Sequence, residues 1–317
     1  MSHKRIKKII ILLLILIFSF PAKSAGEQPP NHNTNTSTVV FLSDTQSPIW
    51  FESWLLKRNK NDLAREIIFN DIIKQNPQAV FHLGDLVARG YSSRQWSVID
   101  SFTSKLRILN LPFYPIPGNH EYFLFAAKGI ANFEQRFPSA CLTGYSIKIN
   151  KLAIILLNSN FSRMSASEIS AQQSWYQQKL NDYSQDTTVT SIIVGCHHSP
   201  YTNSRIVTPN DKIQRMFLPA FFKNVKCKLF ISGHAHAFEH FRQKNKDFIV
   251  CGGGGALQHP LLVGDKQRWP DIYSNSSSRM FHYLLLTWNE NRMQISLQIL
   301  NENFTQFEPD YLITIPD

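Results

Sequence analysis

The sequence holds little for thiolate chemistry: its four cysteines, Cys141, Cys196, Cys227 and Cys251, show no C-x-x-C spacing and carry little weight as metal ligands. Three of them lie in apolar, strand-like runs, which leaves one or two disulfides and buried thiols equally open. No internal repeat or long low-complexity stretch divides the 317 residues, so a single domain is expected. Dense Lys/Arg blocks are missing too, which argues against a nucleic-acid track. The run Gly252–Gly255 lacks the spacing and following helix of a phosphate-binding loop and reads as a turn at a strand end. The one long apolar run, Ile9–Phe20, is too short for a comfortable membrane span, which needs roughly 20 residues.

That run follows Lys4, Arg5, Lys7 and Lys8 and precedes Pro21 and the small residues Ala22 to Ala25, the pattern of a secretory signal peptide cleaved near Ser24 or Ala25, with an uncleaved N-terminal anchor as the alternative. Residues 1–24 are therefore expected to be a signal peptide, 25–37 a flexible lead-in rich in Asn, Thr and Pro, and 38–317 the folded domain, secreted or periplasmic. Cleavage removes five positive charges (Lys4, Arg5, Lys7, Lys8, Lys23) and no negative ones, so the formal net charge falls from +10 to +5. This mildly basic balance favours anionic small-molecule substrates. No membrane span beyond the signal peptide and no protein partner are expected.

Five short apolar runs end abruptly in polar residues: Val39–Leu42, Val80–Leu83, Phe113–Ile116, Ile192–Val194 and Leu229–Ile231. Continuous runs of this length read as strands buried on both faces. Between them, Asp62–Gln75 and Gln95–Leu109 repeat apolar residues at helical period, and a further helix is expected over Ala166–Tyr183. Strands are expected again at Phe281–Trp288 and Met293–Leu300. The alternation predicts an α/β fold, in which ligands collect at the C-terminal ends of strands.

Those ends carry Asp44-Thr45-Gln46, Gly84-Asp85, Gly118-Asn119-His120-Glu121, His197-His198 and Gly233-His234-Ala235-His236. Taken singly, each has an ordinary reading: Asp44 as a helix cap, Gly84-Asp85 as a turn, Asn119 in a left-handed position, a histidine as a hydrogen-bonded core residue. Their joint placement, with two histidines spaced i, i+2 after a glycine, points instead to metal binding. Mixed carboxylate, amide and imidazole donors suit two cations of intermediate hardness such as Zn, Mn or Fe, with Mg also open.

From Val39 to His240 the motifs resemble the calcineurin-like metallophosphoesterases, whose pattern is D-x-H, GD, GNH(D/E), H and GHxH. Gly118-Asn119-His120-Glu121, His198-Ser199-Pro200 and the segment Gly233–Glu239 are similar to those of purple acid phosphatases. The resemblance implies a four-layer α/β/β/α sandwich with a dimetal site, Asp85 bridging the metals, Asp44 and His236 on the first, and Asn119, His198 and His234 on the second. Because the family ligand precedes x-Pro, it implies His198 as the ligand and His197 as a neighbour.

Three positions depart from that pattern. Gln46 replaces a histidine ligand with a weaker amide donor, still included here in the ligand set. Ala88 stands where purple acid phosphatases place their iron-binding tyrosine, which predicts a colourless enzyme that need not contain iron. Val207 and Thr208 replace substrate-facing histidines, leaving Asn203, Arg205 and His240 as candidates to close the phosphate pocket. The expected chemistry is attack on a phosphate monoester by a water activated between the two metals, with His120 as general acid, contributing about 10²–10⁴ in rate. Glu121 is expected to orient His120 or to serve a structural role. Trp50, Phe51, Trp54 and Tyr122 are candidates to stack on a leaving group, or ordinary packing residues. A phosphodiesterase, nucleotidase or phospholipid-headgroup hydrolase, or a catalytically dead phosphate-binding module, are the alternatives.

Overall fold

All five predicted runs form strands, each ending where the polar motif begins: β1 (Ser37–Leu42), β2 (Ala79–His82), β3 (Phe113–Pro115), β6 (Ser191–Cys196) and β7 (Cys227–Ser232). The structure is a computed structural model describing residues 37–49, 56, 59–274, 276, 280–289 and 292–316. The signal segment, the lead-in up to residue 36, and Trp50, Phe51 and Trp54 lie outside the described residues. The remaining strands are β4 (Tyr145–Ile149), β5 (Leu152–Leu157), β8 (Phe238–Gln243), β9 (Lys246–Cys251), β10 (His282–Asn289), β11 (Arg292–Leu300) and β12 (Phe307–Pro316). The helices are α1 (Asn61–Gln75), α2 (Ser97–Ile108), α3 (Ala126–Arg136), α4 (Ala166–Gln185), α5 (Asp211–Met216) and α6 (Leu218–Lys223).

One sheet has the order β12-β11-β10-β1-β2-β3 and the other β4-β5-β6-β7-β9-β8. In the first, β1, β2 and β3 run parallel, and in the second β5, β6, β7 and β9 do. The period-2 alternation of a strand explains the layers. Between the sheets, Val39 and Phe41 of β1 join Leu152, Ile154 and Leu156 of β5 and Leu229 and Ile231 of β7. Val40 and Leu42 pack outward with Ala64, Ile68 and Ile72 of α1 and Phe102 and Leu106 of α2. On the far side Ile155, Ile192 and Val194 pack with Tyr176 and Leu180 of α4 and Ile213 of α5. The result is the expected α/β/β/α sandwich, in which each fully buried Leu, Ile or Phe contributes about 1.5–3 kcal/mol.

α4 starts at a capping box in which Ser165 accepts from Glu168 N and Glu168 accepts from Ser165 N. α1 stops at Asn76, which adopts a left-handed conformation (φ 47°). All four cysteines are free; Cys141 is exposed and the other three are buried, where burial pushes their thiols up and away from thiolate. No helix among the described residues is long and apolar enough to cross a membrane.

Candidate metal centre

Parallel register brings the motif loops level. Leu42 pairs with His82, and beyond the strands Asp44 N donates to Gly84 O (3.0 Å) and Thr45 N to Asp85 O (3.0 Å). Asp44 (φ 61°), Asp85 (φ 55°) and His234 (φ 66°) all sit in the left-handed region, a strain of about 1–3 kcal/mol each that collects at functional sites. Two motif glycines make room for the carboxylates. A Cβ at Gly118 would lie 2.2 Å from Asp85 Oδ1, and one at Gly233 would lie 2.5 Å from Asp44 Oδ2.

Asp44, Asp85 and His236 form one buried group whose ligand atoms lie within 4.8 Å of one another. Asp44 Oδ2 accepts from His234 N (2.9 Å), while Asp44 Oδ1 is buried without a hydrogen-bond partner and lies 3.4 Å from His236 Nε2. His236 Nδ1 must be the donor to Leu257 O (2.6 Å), which leaves Nε2 facing the group. Gln46 sits between, its Nε2 3.2 Å from His236 Nε2 and 3.5 Å from Asp85 Oδ2; its Oε1 is buried and has no hydrogen-bond partner.

His197, His198 and His234 form a second group within the same 4.8 Å limit. His197 is fully buried, and its Nδ1 donates to Leu83 O (2.9 Å). Its Nε2 therefore points at two acceptors, Asn119 Oδ1 at 3.0 Å and Asp85 Oδ2 at 3.2 Å. Three lone pairs meeting in a buried space require a proton or a cation between them. Without a metal the proton fills that role: burial opposes charge on His197, but the Asp85 carboxylate outweighs it and pushes the imidazole up to about 9. Burial, then the charge on His197, takes His198 down to about 3, and burial with the neighbouring histidines holds His234 well below its usual range. His198 is anchored differently, with Nδ1 2.8 Å from Ser159 Oγ and its backbone N donating to the same hydroxyl (2.9 Å).

The donor set fits two cations. Unpartnered carboxylate and amide oxygens, Asp85 between two groups, and ligand-facing histidines tied by Nδ1 to backbone carbonyls are what such a centre needs. His120 shares this last feature: Nδ1 donates to Ala88 O (2.9 Å), and Nε2 lies 3.9 Å from Asp85 Oδ2. Ala88 thus contributes a carbonyl where the resemblance led one to look for a side chain.

Glu121 is fully buried and ties the loops together, with Oε1 accepting from Leu86 N and Val87 N and Oε2 from Asp85 N and Gly118 N. Burial and the nearby Asp85 raise it to about 7. The sequence motif marked Glu121, but neither the bonding of His197 nor Ser159 was visible in it.

Other candidates are committed elsewhere. The Asn203 side chain is buried and spent on the 268–269 backbone, accepting from Arg268 N (2.7 Å) and donating to Trp269 O (2.9 Å). His240 lies 2.9 Å from Asp247 Oδ1 and 3.2 Å from Tyr311 Oη. Both side chains are thus engaged with neighbouring segments of the fold. Arg205 is exposed, and Val207 packs against the helix-side core. Tyr122 is buried, its hydroxyl accepting from Asn158 Nδ2 (3.0 Å).

A family model described as calcineurin-like phosphoesterase matches residues 37–238. Among solved structures, a purple acid phosphatase from yellow lupin (Lupinus luteus) seeds is similar at 16% identity and a TM-score of 0.65, covering 89% of this chain and 54% of its own. The chain thus spans about half the length of that protein. GAP50, the anchor in the inner membrane complex of Plasmodium, is similar at 14% identity and a TM-score of 0.64, with 89% of each chain covered. A dimetal phosphatase from Danio rerio is similar at 14% identity and a TM-score of 0.56, covering 89% of this chain and 99% of its own. At these identities the structures bear on the fold alone, and the family match carries the assignment. With its residues 37–238 matched, the chain belongs to the calcineurin-like phosphoesterase family.

Proposed function

We propose that this protein hydrolyses phosphate monoesters of broad range at a two-metal centre, and that it acts outside the cytoplasm. The observation that carries the reading is the meeting of His197 Nε2, Asn119 Oδ1 and Asp85 Oδ2 beside the unpartnered Asp44 Oδ1 and Gln46 Oε1. Asp44, Gln46, Asp85 and His236 would hold one cation, and Asp85, Asn119, His197 and His234 the other, with His198 beside them. When bound, such cations supply positive charge against the phosphoryl oxygens and activate water for attack.

The protein's own groups do the rest. With Nδ1–H held by the Ala88 carbonyl, the protonated His120 presents Nε2–H to the leaving oxygen. Glu121 keeps the Asp85 and Gly118 loops at a fixed separation, which preserves the ligand positions. GAP50 has a similar fold and is an anchor, so the donor set, rather than the fold, supports catalysis here. The signal-like N-terminus supports export.

The test is phosphate release by metal-stripped protein with Mn, Zn, Fe or Mg restored, on an aryl monoester and the matched diester. Metal-dependent release favouring the monoester is expected. Preference for the diester moves the reading to a phosphodiesterase; no release with any metal leaves a phosphate-binding module.

A further inference from the structure

A cavity of about 410 Å³ opens beside the second ligand group, with Asn119 and His198 in its wall. The loops after β3, β5 and β6 build it, at the same strand ends that carry the metal motifs. Its charges are unbalanced. Arg163 and Lys212 are exposed at its edge, and neither has an ion-pair partner among the described residues; Lys212 Nζ lies 5.8 Å from the centre of the Phe161 ring. The one carboxylate of the lining, Asp211, is paired with Arg215 Nη1 at 2.5 Å. Arg163 also lines an adjoining cavity of about 590 Å³, whose carboxylate, Glu168, is spent on the Ser165 cap.

We propose that this cavity receives the leaving group and favours one with its own negative charge, held by Arg163 and Lys212. In this proposal the leaving group of an ester held at the metal ligands enters the cavity on the side of Asn119 and His198. Two cations without balancing acids then face whatever it carries. The shared wall places Arg163 at the junction of the two cavities, so the second anionic group, whether a carboxylate or another phosphate, sits at that junction and the remainder extends beyond it. Such exposed cations act through modest, salt-screened attraction, about two- to fivefold each.

The inference rests on the phosphomonoesterase reading and deepens it. The test compares kcat/KM for 4-carboxyphenyl phosphate and 4-nitrophenyl phosphate in the metal-loaded protein, Arg163→Ala, Lys212→Ala and the double variant, with melting temperatures confirming folding. The carboxylate-to-nitro ratio should fall about tenfold in the double variant, recover with Arg163→Lys, and lose its salt dependence when both cations are gone. A ratio within twofold of the unsubstituted protein's in the double variant overturns the inference while leaving the hydrolase reading intact. Failure of the unsubstituted protein to release phosphate from either ester overturns both.

Discussion

Replacing Gly118 with alanine tests whether the centre depends on the close approach of two loops. Gly118 is not in a left-handed conformation, so the substitution acts through its added methyl group alone. That Cβ would stand 2.2 Å from Asp85 Oδ1 and 2.4 Å from Asp85 N, where ordinary contact begins at 3.4 Å. The Asp85 carboxylate and its backbone must therefore retreat by about 1 Å, and Asp85 belongs to one ligand group while lying 3.2 Å from His197 of the other. Overpacking of this kind costs about 1–3 kcal/mol of stability, a drop of roughly 2–10 °C in melting temperature for a domain this large. A misplacement of about 1 Å at reacting groups costs on the order of 100-fold in rate. The activity loss should thus far exceed the stability loss. Gly195→Ala is the matched control, since its Cβ would crowd the flexible ends of Leu156 and Leu83 at 3.0 and 3.1 Å and meet backbone, Ile231 O, at an ordinary 3.8 Å. The assay is kcat/KM on an aryl monoester beside metal content and melting temperature. If Gly118→Ala keeps its activity and metal content within about threefold, the account of the Asp85 position is wrong.

His120→Asn should lower kcat by about 10²–10⁴, most for esters with poor leaving groups, while metal content stays constant; an equal loss for good and poor leaving groups would refute a proton-donor role. His197→Ala should cost at least one equivalent of metal by elemental analysis, and His198→Ala, whose Nδ1 is held by Ser159, distinctly less. The reverse order would return the ligand role to His198. In metal-free protein, Asp85 pushes His197 up to about 9 against the effect of burial. A raised imidazole stabilises the fold fully below its ordinary value of 6.5 and loses that contribution as pH climbs through about 9. The melting temperature of stripped protein should therefore fall across that window, less steeply in His197→Ala. Because cations compete with this proton, metal affinity should rise over the same interval, and a flat profile would tell against His197 as a ligand.

The sandwich was legible because its parallel strands are buried on both faces, so that Val39–Leu42 and Ile192–Val194 show as unbroken apolar runs. α3 escaped notice because only Gly129 and Phe133 of its residues are buried, too few to set a period. β12 at the sheet edge buries Ile313 and Ile315 but exposes Glu308, Pro309 and Asp310, and such a pattern does not stand out from a loop. Within the site, residue types and loops were readable, whereas the choice between His197 and His198 was not. Adjacent residues on extended chain point to opposite sides, and which of them faces Asp85 depends on how the two sheets pack together. The His-x-Pro resemblance favoured His198, while the geometry sets His197 Nε2 against Asp85 and Asn119. Asn203 shows the same limit: a motif position can be spent on holding a neighbouring loop.

Anomalous X-ray diffraction from crystals grown with Mn or Zn tests the central claim most directly. The account predicts two peaks a few ångströms apart with Asp85 between them, one beside Asp44 and His236 and the other beside Asn119, His197 and His234. A single peak, or two that do not share Asp85, would contradict it.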